Sequence, residues 1–139
     1  MHQSKTFVTV DAVVFRVKSD AVELLLIQRK NDPFKGHWAL PGGFVDEHED
    51  LEVAAIRELK EETGLLINSL EQLRTFGTPH RDPRSHTVSV VHWGFAPDDA
   101  VIAAADDAAD ARWLPIMELP ELAFDHDEII NYAIKTIKP

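Results

Sequence analysis

Cysteine is absent from this 139-residue chain, so neither a disulfide framework nor a thiolate metal centre is open to it. That absence leaves the redox compartment undetermined, and the default expectation is a soluble cytoplasmic protein. Long apolar runs are missing too. The opening "MHQSKTFVTVDAVVFRV" is interrupted by Asp11 and Arg16, and no stretch approaches the roughly 18 apolar residues of a membrane span. Basic residues are scarce, 14 Lys and Arg against 24 Asp and Glu, for a net charge of -10. The chain therefore lacks the overall basicity that binding a phosphate backbone requires, and the expectation is no nucleic-acid and no membrane partner. A small anionic ligand stays open if cations are supplied locally. The length suits one domain over residues 1–139, large enough to bury about two-thirds of its unfolded surface.

Residues 7–17 alternate loosely between apolar and polar, and "VELLLIQRK" from Val22 is a compact apolar run ending in charge; both predict strands. The short polar "KSDA" between them suits a hairpin. In "NDPFKGHWALPGG" the prolines and glycines predict a loop with a brief extended piece at Trp38 to Leu40. From Leu51 to Thr63 the apolar Leu51, Ala54, Ala55 and Leu59 recur at helical spacing, and Gly64 stands where a C-terminal cap belongs. Beyond it, "LLINSLEQLRTFG", "TVSVVHWGF" and "ADARWL" predict strands, "PIMELP" a short helix, and residues 126–137 a final amphipathic helix. The acidic "DDAVIAAADDAAD" reads as a loop between strands.

Acid is concentrated between Asp46 and Glu62. On a helix, residues four apart are displaced by about 40° and about 6 Å, which puts Glu58 and Glu62 on one face with Glu61 beside them. An acidic helix face is ordinarily just solvated. Gathered against a Gly-Gly turn, however, such carboxylates suit a hard cation that takes oxygen ligands, magnesium or manganese. The spacing G-x5-E-x7-R-E-U-x-E-E-x-G-U, with U aliphatic, is met by Gly43, Glu49, Arg57, Glu58, Leu59, Glu61, Glu62, Gly64 and Leu65. At average residue frequencies such a match arises by chance on the order of once in 10^9 positions.

In these residues the chain resembles the Nudix hydrolase family. The resemblance implies an α/β/α sandwich around a mixed sheet, with this box as a loop-helix-loop, and divalent-metal hydrolysis of a nucleoside diphosphate linked to a group X. It implies Glu58 and Glu62 as metal ligands, Glu61 joining directly or through water, the Gly42 carbonyl completing the set, and Arg57 orienting Glu49 through a bidentate pair. The general base stays open between Glu61 or Glu49 in the box and Asp106 or Asp107 on a later loop. A diphosphate repels nucleophiles, so a cation that neutralises its oxygens and acidifies a bound water answers the need for acid here.

"TFGTPHRDPRSHTVSVVHWGF" and "ARWLPIMELPELAFDHDEII" resemble the ADP-ribose pyrophosphatase branch and the Nudix domains of regulators of NAD metabolism. On that resemblance the substrate is ADP-ribose, cleaved to AMP and ribose 5-phosphate. A nucleoside triphosphate hydrolase, damaged nucleotides included, is the second reading, and a non-catalytic ADP-ribose sensor the third. Arg81 and Arg84 are candidate contacts to phosphate or ribose, with simple pairing to Asp82 and surface acids as the plainer role; Arg29 is a further phosphate candidate and Phe34 a stacking candidate. Trp38, Trp93 and Trp113 read as core, and His80, His86 and His126 as structural. The resemblance to this branch also implies a homodimer.

Overall fold

The computed structural model describes residues 5–103 and 108–139. The elements run β1 (Phe7–Lys18), β2 (Ala21–Arg29), β3 (Trp38–Ala39), β4 (Gly42–Phe44), α1 (Leu51–Thr63), β5 (Glu71–Phe76), β6 (Thr87–Phe95), β7 (Ala108–Pro115) and α2 (His126–Ile137). Seven strands form one mixed sheet built around β1, which is parallel to β6 along nearly its whole length. Along its other edge β1 changes partner: Thr9 to Asp11 face β4, whereas Phe15 to Lys18 face β2. β2 then pairs with β3 through Ile27 and Gln28 and with β7 from Glu23 to Arg29. The change of partner opens the sheet between β4 and β2, and the site lies at this opening.

Strand alternation divides the core between two layers. Val10, Ala12 and Val14 of β1 join Ala54, Ala55 and Leu59 of α1 on one face. Val13 and Phe15 join Ile129, Ile130 and Ala133 of α2 on the other. This is the α/β/α sandwich with a mixed sheet. Two alanines on the inner stripe of α1 let its backbone approach the sheet closely, and Gly64 ends it with φ 74° and an N–H donated to the Lys60 carbonyl at 2.9 Å.

Three local expectations are corrected. "PIMELP" forms a turn closed by the Glu118 N–H on the Pro115 carbonyl at 3.1 Å, because prolines at both ends leave four residues between them, too few to nucleate a helix. The strand expected from Leu65 begins only at Glu71, since the Leu70 N–H is taken by the Glu52 carboxylate at 3.0 Å. Gly42 to Phe44, expected as part of a loop, is a strand on β1. The loop candidates Asp106 and Asp107 lie outside the described residues.

Candidate functional site

Arg57 organises the outer part of the site. Its Nε and Nη2 donate to the two oxygens of Glu49 at 2.7 and 2.9 Å, its Nη1 to Glu58 at 2.9 Å and Glu61 at 3.2 Å, and Nη2 also to the Phe44 carbonyl at 3.2 Å. The planar fork thus ties the loop before α1 to the acidic face of α1. Arg57 is held above its ordinary pKa by Glu49 first. Glu49 in turn is pulled down to about 2 by Arg57 and by the Asp46 N–H, which leaves it a poor proton acceptor near neutrality.

Inward of this hub the balance reverses. Glu62 accepts the Gly42 N–H at 2.7 Å, yet burial, with Glu58 and Asp11 nearby, pushes its carboxyl up to about 8. Burial also raises Glu58, against the opposing pull of Arg57. Gly43 is required here: a Cβ at this position would stand 2.6 to 2.7 Å from the Glu58 carboxyl group. At Gly42 a Cβ would collide with the Val10 carbonyl and the Asp11 side chain.

These residues line a cleft of about 800 Å³. Its lining includes the acids Asp11, Glu58, Glu61 and Glu62 together with the cations Arg29, Lys30 and Arg84 and the ring of Phe124. Arg29 donates Nε to the Pro33 carbonyl at 2.7 Å and is lowered in pKa by burial first and by Arg84 second. Arg81 and Arg84, neighbours in one loop, have different partners. Arg81, with a side chain 5% exposed, forms a bidentate pair with Asp125 at 2.9 and 2.7 Å. Arg84 is 43% exposed and pairs with the buried Asp82 at 3.0 and 2.7 Å. Burial works against ionisation of Asp82, but the bonds from Arg84 outweigh it and hold the carboxyl below its ordinary value. Phe34 does not line the cleft; it packs edge-on against Phe124 with ring centres 4.9 Å apart.

The donor set fits a hard divalent cation. Glu58 and Glu62 are oxygen donors whose burial resists ionisation, and a cation between them would supply the missing charge. As the side chains stand, Glu58 and Glu61 are turned onto Arg57, and among the described residues no three His, Cys, Asp or Glu side chains converge on one point as an ion would require. Occupancy would thus exchange part of the Arg57 contacts for the ion.

Sequence reasoning missed Asp11, which appeared only as an interruption of an apolar run. It is 7% exposed, accepts the Ser89 hydroxyl, and lies 3.8 Å from His126 Nε2. His126, kept neutral by burial, accepts the Leu40 N–H on Nδ1 at 3.0 Å, which places its ring proton on Nε2, toward Asp11. A carboxylate inside "VTVDAVV" was the available signal. His80 and His86 are exposed.

Comparison with known proteins identifies the family. A family model described as NUDIX domain matches residues 5–133. The ADP-ribose pyrophosphatase of Methanocaldococcus jannaschii is 48% identical over 111 residues, 78% of this chain and 64% of that protein. The ADPR responsive transcriptional repressor NtrR of Acinetobacter baylyi is 37% identical over 129 residues, 90% of this chain and 52% of the repressor. The chain thus spans less than two-thirds of either relative's length. The crystal structure of the NUDIX domain of Shewanella oneidensis NrtR complexed with ADP ribose superposes with a TM-score of 0.88 at 35% identity, covering 97% of this chain and 90% of that one. A family match over nearly the whole chain, an intact box on α1 and the same fold make this protein a member of the Nudix family.

Proposed function

We propose that the protein is a divalent-metal-dependent pyrophosphohydrolase of nucleoside diphosphates linked to a group X, with ADP-ribose as substrate and AMP and ribose 5-phosphate as products. The observation that carries this reading is the lining of one cleft, which brings the partly buried carboxylates of α1 together with arginines from β2 and from the loop before β6. A metal-bound diphosphate presents both complements, a cation for the acids and free phosphate oxygens for the guanidiniums. Glu58 and Glu62, with Glu61 and the Gly42 carbonyl, would hold magnesium or manganese, which when bound neutralises phosphate charge and lowers the pKa of a water. Arg57 positions Glu49 and Glu58, and Arg29 and Arg84 face the phosphates. With Glu49 tied to Arg57, Glu61 is the box residue suited to take the proton, because it is 45% exposed and has a single, longer contact to that arginine.

ADP-ribose is supported by the name of the archaeal relative and by the ligand of the Shewanella domain. The repressor relative favours a second reading, an ADP-ribose sensor without turnover. Chromatography of products from ADP-ribose, NADH, diadenosine polyphosphates and nucleoside triphosphates, each with magnesium, separates the readings. Fastest turnover on ADP-ribose, yielding AMP, is expected; preference for a triphosphate overturns the substrate, and tight ADP-ribose binding without turnover supports the sensor. The homodimer implied by the resemblance is checked by sedimentation equilibrium.

A further inference from the structure

Phe124 sits in the turn before α2 with φ 54°, a left-handed conformation that a bulky side chain seldom adopts. This backbone directs its ring into the cleft. The Arg29 guanidinium carbon lies 4.9 Å from the ring centre and that of Arg84 5.5 Å from it. Two like charges therefore share one ring, and Arg84 makes a further approach to the Phe44 ring at 5.6 Å. Arg84 is paired with Asp82, whereas no carboxylate among the described residues forms an ion pair with Arg29, whose Nε donates instead to the neutral Pro33 carbonyl. Phe34 at 4.9 Å and His126 at 5.4 Å pack against Phe124 from the sides, so the ring is fixed before any ligand arrives.

We infer that Phe124 is a positioning residue for the diphosphate: its ring holds the guanidiniums of Arg29 and Arg84 at 4.9 and 5.5 Å from one centre, so that two cations stand ready for one polyanion. Cation–π attraction offsets part of the repulsion between them, and an arriving diphosphate removes the rest. The arginines already cover the ring, which argues against its use as a base-stacking platform. The lowered pKa of Arg29, to which Arg84 contributes, agrees with two cations held close. This inference rests on the cleft being a diphosphate site and adds how that site is organised.

The test is a double-mutant cycle on binding of inorganic pyrophosphate with magnesium, measured by calorimetry on wild type, Phe124→Leu, Arg29→Ala and the double variant. Phe124→Leu is expected to weaken binding about three- to thirtyfold, Phe124→Tyr to restore most of it, and the double variant to bind little worse than Arg29→Ala alone. Phe124→Met, which keeps the apolar volume without a π face, takes the place of the leucine variant if that one does not fold. Wild-type affinity in the leucine or methionine variant, no rescue by tyrosine, or losses that multiply in the double variant would overturn the assignment. Wild type inert toward ADP-ribose but showing the coupling overturns the substrate reading alone; ADP-ribose turnover with independent losses overturns the role of Phe124 alone.

Discussion

At the scale of single residues, the two arginines of the "RDPR" loop show how one motif divides between structure and binding. Arg81 is nearly buried on Asp125, and removing one member of such a pair leaves the other charge without its partner. Arg81→Ala is expected to lose about 3 kcal/mol or more of stability, measured by urea unfolding. Arg84 is more exposed and reaches the cleft, and its backbone N–H would still hold the buried Asp82, so Arg84→Ala should cost less stability than Arg81→Ala while lowering kcat/KM for ADP-ribose about ten- to a hundredfold, through loss of a charge-assisted contact. Arg84→Lys should recover only part of that loss, since an ammonium cannot reproduce the fork. Equal destabilisation by both alanine variants would show that Arg84 is as structural as its neighbour. This division was not legible in the sequence, where both arginines stood beside Asp82: the partner of Arg81 lies on the turn before α2, 44 positions away. Asp11 was hidden for a related reason, since its neighbours Ser89 and His126 come from other elements.

Among the elements, α1 was the most legible. Its apolar spacing and its glycine cap each act locally, and its bounds match the expected Leu51 to Thr63. β6 and α2 likewise carry their own periodicity. β4 does not: Gly42 to Phe44 has no preference of its own for extended structure and becomes a strand because β1 offers an unpaired edge. α1 is fixed by a narrow apolar stripe, with Leu59 fully buried against β1 and β2. Leu59→Ala should cost about 2–5 kcal/mol, read as a lower urea midpoint with an unchanged slope. A cost below 1 kcal/mol would mean that α1 is not anchored as described, and with it the placement of Glu58 and Glu62.

For the molecule as a whole, the contrast between the two ends of the acidic cluster sets a pH dependence. Glu62 has a folded pKa raised to about 8, so in metal-free protein its contribution is fully present below its unfolded pKa of about 4.3 and is lost as pH rises toward 8. Glu49, lowered to about 2, acts oppositely, its contribution being lost as pH falls below the ordinary carboxylate range. Melting of the chelator-treated protein should therefore fall between pH 5 and pH 8, and magnesium should restore it most at pH 8, where the cation replaces the proton on Glu62. A metal response independent of pH would contradict this. The central claim is that the partly buried Glu58 and Glu62 of α1 carry the cation that makes the cleft a catalyst. Its most direct test is magnesium-dependent ADP-ribose turnover by Glu62→Gln, with melting recorded alongside. The account predicts a loss of at least about a hundredfold in a folded protein; near-normal turnover, or a variant that does not fold, would contradict it.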